Sequence, residues 1–509
     1  MRKVMTIVLD AADPSLIEKW MDDGSLPNLK RLKEQGAYGR LAPISGWLAE
    51  AVPYSFYTGQ GPASHGAHCY VMFQKETMKF RPPGPDWLPM RPFWRNFQKG
   101  GPRAIVLDVS NCYGPEPFNG LEIAGWATHD ALVPFQTYPP DLAKWIHQRF
   151  GSSILPDEVY GLVSKKDFIK TRDLMFEVSD KFGRLCTELM QNESWDFFLA
   201  FLFTIHHSGH RLWSSVNIRE SLNEAEKTEL EDAMRQVYIA GDRAVGEMVQ
   251  AAESNTLVMV MSLHGMGVNQ SRTWIFPEML RRILQEKEEG YTLYRLLKKF
   301  RLLVPLGWRH KIKSRLPYYA RRWLTRFWRV GGQNWKHTKA LHLFSDTQGW
   351  VRINLKGREA QGVVEAHEYE AICQRITEGI RSFVDADTGE LLVKNITALH
   401  KVLEGERVDD LPDLIVDWAD SPAARHRAVI SPQFGRIDWP TPGHNPEGRS
   451  GNHRPEGFLI AHGDGIRQGE IKDANMLDIA PTILSLLKQQ LPEKMQGRDL
   501  ALLIEKESS

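Results

Sequence analysis

Three histidines fall within five residues in the stretch Phe203-Thr204-Ile205-His206-His207-Ser208-Gly209-His210. Imidazole is the commonest metal ligand, and it is also the side chain that titrates closest to neutral pH. The chemistry open to this cluster is therefore metal binding. On a helix, residues four apart share a face, so His206 and His210 would point the same way and reach one ion. His207 would face elsewhere and reads as a substrate contact or a support to its neighbours. The same spacing also fits one hydrogen-bonded core histidine and two solvated ones.

The element that must carry these imidazoles is Trp195-Asp196-Phe197-Phe198-Leu199-Ala200-Phe201-Leu202. It is a short, continuous apolar run, the pattern of a strand buried on both faces. The histidines then sit at its carboxyl end, which is where open α/β sheets bind ligands. A second such end is Asp10, after the apolar run Val4 to Leu9. A carboxylate at the tip of a buried strand is costly unless it is paired, hydrogen-bonded or bound to a metal, so Asp10 is a candidate ligand. The next residues predict a helix starting at Asp13-Pro14, another from Pro27 to Gln35, and a return strand over Tyr38 to Leu41. Strands are predicted at Arg103 to Asp108, Leu121 to Trp126 and Thr256 to Met261, with covering helices near 140–150, 166–191 and 224–253. The alternation predicts an α/β fold.

Several further motifs occur in order along the chain: Thr58-Gly59, Pro62-Ala63-Ser64-His65-Gly66, Ser262-Leu263-His264-Gly265-Met266-Gly267, Gly451-Asn452-His453-Arg454-Pro455 and Asp478-Ile479-Ala480-Pro481-Thr482. With the early Asp10 and the His206 to His210 stretch, this order resembles the alkaline phosphatase superfamily, in its type I phosphodiesterase and nucleotide pyrophosphatase branch. The resemblance covers almost the whole chain. It implies a sandwich of helices around a mostly parallel central sheet. It also implies a two-metal site, usually zinc, and a Thr or Ser nucleophile attacking phosphorus.

Carried over residue by residue, one metal site becomes His206, His210 and His453, and the other keeps Asp10 and His264. Three departures stand out. His206 stands where the resemblance implies the Asp of the first metal site. The nucleophile position, counted back from Thr58-Gly59, falls on Ala49, with Glu50 beside it and Ser45 a more distant hydroxyl. Leu263 stands where the resemblance implies an Asp. The remaining set is three imidazoles with a carboxylate nearby, which suits one zinc ion, or iron or manganese, with an open coordination position. Glu50 or Asp10 is then the general base for a metal-bound water, or the fourth ligand. Arg454 is a candidate for orienting an anionic substrate, or for pairing with a carboxylate. His129-Asp130, after the predicted strand at 121–126, is a further candidate contact.

The expected function is a metal-dependent hydrolase or transferase acting on a phosphorylated or other anionic substrate. Two alternatives stand beside it. One is a lyase or oxygenase step in polysaccharide or natural-product synthesis on the same scaffold. The other is an inactive homologue that binds an anion or a membrane.

Charge is balanced over the 509 residues, 64 basic against 63 acidic, so no whole-chain field argues for a polyanionic partner. The bias is local. Residues 291–340 hold fourteen Lys or Arg and no Asp or Glu, with Trp308, Trp323, Trp328 and Trp335 among the interleaved aromatics. This reads as a basic helical insert over 281–340, a cap on the site or a surface for anionic lipid. The core is predicted to comprise 1–280 and 341–509. No groove-reading motif accompanies the charge, so nucleic acid is not the expected partner. The four cysteines form no CxxC pair, and the amino-terminal apolar run is too short for a signal peptide. The expected location is cytoplasmic, with peripheral contact at a membrane through the insert.

Overall fold

The structure is a computed structural model that describes residues 2–44, 46–128, 133–152, 155, 161–285, 312, 315–317, 320–321, 323–324 and 337–501. Most of the predicted insert, together with Ser45 and His129-Asp130, lies outside the described residues. The amino-terminal half is built from β1 (Lys3–Leu9), α1 (Pro14–Asp22), α2 (Pro27–Gln35), β2 (Ala37–Ala42), α3 (Val52–Thr58), β3 (Ala104–Leu107), β4 (Gly120–Ala124), β5 (Gln136–Tyr138) and α4 (Lys165–Asn192). Next come β6 (Phe197–Leu202), α5 (Thr204–Leu212), α6 (Ala233–Ala251), β7 (Thr256–Ser262), β8 (Gly265–Val268) and α7 (Phe276–Leu284). The remainder contributes β9 (Ala340–Leu343), β10 (Gly349–Ile353), α8 (Tyr369–Arg381), β11 (Val393–Ala398), β12 (Leu414–Trp418), β13 (Gly451–Arg454) and β14 (Gly457–His462).

The main sheet runs β2-β14-β7-β1-β6-β3-β4-β5, extended at the β2 edge by two short segments near 469–475. Strand β1 pairs in parallel with β6 and β7, and β3 pairs in parallel with β6 and β4. Only β14 and β5 run against their neighbours. Parallel strands need helices on both faces, which is why β6 is buried at every position. Along β1 the side chains divide by parity. Val4 and Val8 enter one hydrophobic cluster, and Met5, Ile7 and Leu9 enter the other. Helices α1, α2, α4 and α6 cover the second face, while α3 lies on the first. The predicted α/β sandwich with a mostly parallel sheet is the observed one. The long helix expected over 224–253 is divided, with a break at Asp232.

A third cluster of apolar side chains is built by α7, α8 and the antiparallel sheet β9-β10-β12-β11. Helix α7 runs through the predicted start of the insert at 281, with Met279, Leu280 and Ile283 buried. This lobe matters to the site because of one turn. The 344–348 loop joins β9 to β10, whose ends pair Leu343 with Trp350, and it projects Ser345, Asp346 and Thr347 toward β13.

Candidate metal centre at the strand ends

Because β1, β6 and β7 are parallel, Asp10, the start of α5 and His264 all emerge at the same end of the sheet. Helix α5 begins two residues after β6, so His206 and His210 are brought to the strand ends on one face of a fully buried helix. The fourth imidazole arrives from far along the chain. Strand β13 pairs antiparallel with β8, placing His453 opposite Met266. Close approach is possible because Gly451 has no side chain: a Cβ there would stand 2.1 Å from the Gly209 carbonyl oxygen of α5. A backbone bond from Ser450 to the His210 carbonyl, 2.8 Å, ties the same two segments together.

The result is a group in which His206, His210 and His453 each offer a nitrogen within 4.8 Å of the others. His206 Nδ1 lies 2.5 Å from Asp10 Oδ2, and His210 Nδ1 lies 3.1 Å from the Gly451 carbonyl oxygen. An ionised carboxylate and a carbonyl can only accept, so both Nδ1 atoms donate, and with both rings neutral each Nε2 carries a lone pair. Those two Nε2 atoms face each other at 3.1 Å. Two lone pairs at that distance repel unless a proton or a metal ion lies between them. Nitrogens bound to one zinc ion at a tetrahedral angle stand about 3.3 Å apart, so the donor set fits such an ion. Three protein nitrogens also leave a coordination position open.

The electrostatics agree. Burial, followed by the neighbouring imidazoles, holds His453 well below the usual histidine pKa. His264 is pushed down to about 4, with burial the largest cause. Both are therefore neutral at physiological pH, the state a metal site requires. His264 Nε2 lies 2.8 Å from His453 Nδ1, and so His264 stands beside the three-histidine group rather than within it. Asp10 likewise meets the group through His206 Nδ1.

Glu50 sits in a short 3-10 turn, Ala49–Ala51, that leads into α3, and Ala49 is buried with no atom able to act as a nucleophile. Glu50 Oε1 accepts from the Ser345 hydroxyl at 2.9 Å and from the Asp346 backbone N–H at 2.8 Å. Its Oε2 is buried without a hydrogen-bond partner among the described residues. Burial, then the negative charge of Asp346, push the Glu50 carboxyl up to about 7. The Asp346 carboxylate is paired with buried Arg449 at 2.9 Å. Asn452 joins this network to the metal strand, donating to the Asp346 carbonyl at 2.8 Å and accepting from the His453 N–H at 2.9 Å and from Thr347 at 3.1 Å.

Of the remaining sequence candidates, Arg454 bonds the carbonyls of His453 and Val268. His207 is buried on α5 outside the three-histidine group. The residues that sequence reasoning missed are Gly451, Asn452, Arg449 and the 345–347 turn. The first two lie inside the Gly-Asn-His-Arg-Pro motif, whose sequence candidates are His453 and Arg454. Nothing in the sequence ties the 345–347 turn to Glu50.

A sequence model described as type I phosphodiesterase / nucleotide pyrophosphatase matches residues 4–422. Among solved structures, the chain is similar to an inactive form of murine ectonucleotide pyrophosphatase / phosphodiesterase 5 in complex with AMP, with 11% identity and a TM-score of 0.49, over 99% of this chain and 100% of that one. Phosphonoacetate hydrolase from Sinorhizobium meliloti in complex with phosphonoformate aligns over 94% of each chain, with 14% identity and a TM-score of 0.47. No curated protein matches the sequence.

Proposed function

Because the chain belongs to the type I phosphodiesterase / nucleotide pyrophosphatase family of the alkaline phosphatase superfamily, we propose that it is a hydrolase in which His206, His210 and His453 hold one divalent ion and act on a phosphorylated or otherwise anionic ester. The observation that carries this reading is the pair of inward-facing Nε2 atoms at 3.1 Å, with the Nδ1 of each ring held by an outward acceptor. When bound, such an ion supplies Lewis acidity toward a phosphoryl oxygen and activates water at neutral pH.

The chain's own residues supply the rest. Ala49 offers no hydroxyl, which favours direct attack by water over a covalent intermediate on that residue. Glu50 is the group proposed to handle the proton, at Oε2. Its other oxygen is held by Ser345 and Asp346, and a carboxyl that titrates near pH 7 is poised to give or take a proton. The preferred ion is zinc, with iron and manganese also suited to three imidazoles. No helix among the described residues is long and apolar enough to cross a membrane. The basic segment 291–340 is proposed to meet an anionic surface, which co-sedimentation with anionic vesicles tests.

The test of the main reading is elemental analysis of wild type and His210→Ala, purified without chelator, alongside hydrolysis of bis(p-nitrophenyl) phosphate. One zinc ion per chain, lost with activity in the variant, is the expected result. Iron in place of zinc, with no hydrolysis, would favour the lyase or oxygenase alternative. Absence of any ion from the wild type would favour the binding homologue.

A further inference from the structure

We infer that Asp10 and His264 are positioning residues for a single ion rather than ligands to a second one. This rests on the proposed function and adds to it the roles of the two groups that flank the histidines.

For His206, His210 and His453 to present Nε2 to one ion, each must carry its proton on Nδ1 and donate it outward. His206 does so to Asp10 Oδ2 and His210 to the Gly451 carbonyl. The equivalent acceptor for His453 is His264 Nε2, at 2.8 Å. Each of the three imidazoles thus has its far nitrogen tied to a different kind of acceptor: a carboxylate, a backbone carbonyl and a neutral ring. The tie on His453 places the proton of His264 on its own Nδ1. That atom is buried and has no hydrogen-bond partner among the described residues. Asp10 and His264 therefore spend the atoms nearest the group on orienting it. Leu263, beside His264, is buried in the core and has no donor atom with which to complete a second set.

Orientation and ligation differ in what conservative replacements do. Asp10→Asn and His264→Gln each keep an oxygen that can accept from the imidazole, yet both are poor metal ligands. Asp10→Ala and His264→Leu remove the acceptor. Metal-stripped protein is titrated with Zn²⁺ and with Co²⁺, and the readouts are ions per chain, Kd and the visible spectrum of bound cobalt. Denaturant midpoints of the metal-free proteins confirm that each variant is folded.

The expected result is one ion per chain in wild type and in all four variants, with an unchanged cobalt spectrum in Asp10→Asn and His264→Gln. Affinity falls about 10-fold or less in those two and about 10- to 100-fold in Asp10→Ala and His264→Leu. His210→Ala, which removes a ligand, binds none. Two ions in wild type, falling to one in Asp10→Asn or His264→Gln, would overturn the inference while leaving the metal-dependent hydrolase intact. Wild-type affinity in Asp10→Ala and His264→Leu would overturn it as well. An absence of binding by the wild type would overturn the hydrolase reading itself, and the inference with it.

Discussion

The Nε2 atoms of His206 and His210 lie 3.1 Å apart across one turn of α5, each ring backed by an acceptor hydrogen-bonded to its Nδ1. This arrangement is formed on a helix that is buried throughout. The folded chain therefore presents a ready site that an unfolded chain lacks, and binding must appear as stability. At zinc concentrations about 1,000 times Kd the folded state is expected to gain about 4 kcal/mol. Denaturant midpoints with and without zinc measure it, and His210→Ala should erase the difference.

Gly451 links the two halves of the site by the close approach of its backbone to α5 and by the bond its carbonyl accepts from His210. A methyl group at that position would meet the Gly209 carbonyl at 2.1 Å, and backbone cannot yield as a side chain would. Gly451→Ala is expected to push β13 away from α5, breaking the His210 to Gly451 bond and separating His453 from its partners. Zinc affinity should fall by at least about 10-fold, the scale seen when outer partners of a ligand are lost. Isothermal titration of the variant checks it, and unchanged affinity would show that the contact does not position the group.

Glu50 makes stability depend on pH in an unusual direction. Its folded pKa, about 7, lies above the ordinary value of 4.5, so the folded chain holds this proton more tightly than the unfolded chain. The stabilisation is fully present below about pH 4.5, where both states are protonated. As pH rises through 7 the folded state must ionise a buried carboxyl, and that stability is lost. Glu50→Gln cannot ionise. Wild type should therefore lose stability relative to this variant between about pH 5 and about pH 8. Equal differences at the two pH values would rule out a raised Glu50.

Away from the site, Arg95 and Glu122 form a two-pronged ion pair, each contact 2.8 Å, with both side chains only 2% exposed. Removing one partner strands a buried charge. Glu122→Ala is expected to cost about 3–5 kcal/mol, read from urea or guanidinium unfolding. Replacing both residues by apolar ones of similar volume should cost much less.

By itself the sequence determined whatever short-range pattern controls. A run of six apolar residues makes β6 a buried strand, and the direction of that strand puts the histidine stretch at a ligand-binding end. Four-residue spacing puts His206 and His210 on one helix face without any knowledge of the fold. The order of motifs carried the family and its α/β architecture, and so marked His453 and His264 as relevant.

Only the tertiary structure decided what each of these groups touches. Asp10 meets His206 across 196 positions, and His264 meets His453 across 189. Glu50 is held by a turn 295 residues away, and although Ser345, Asp346 and Gly349 are turn-forming types, nothing in them names Glu50 as the partner. Hydrogen bonds of this kind depend on which surfaces pack together, and on a glycine at 451 that lets two backbones touch. Local spacing does not encode such contacts, because a donor's partner is chosen by the packing of whole elements and not by its neighbours in the chain.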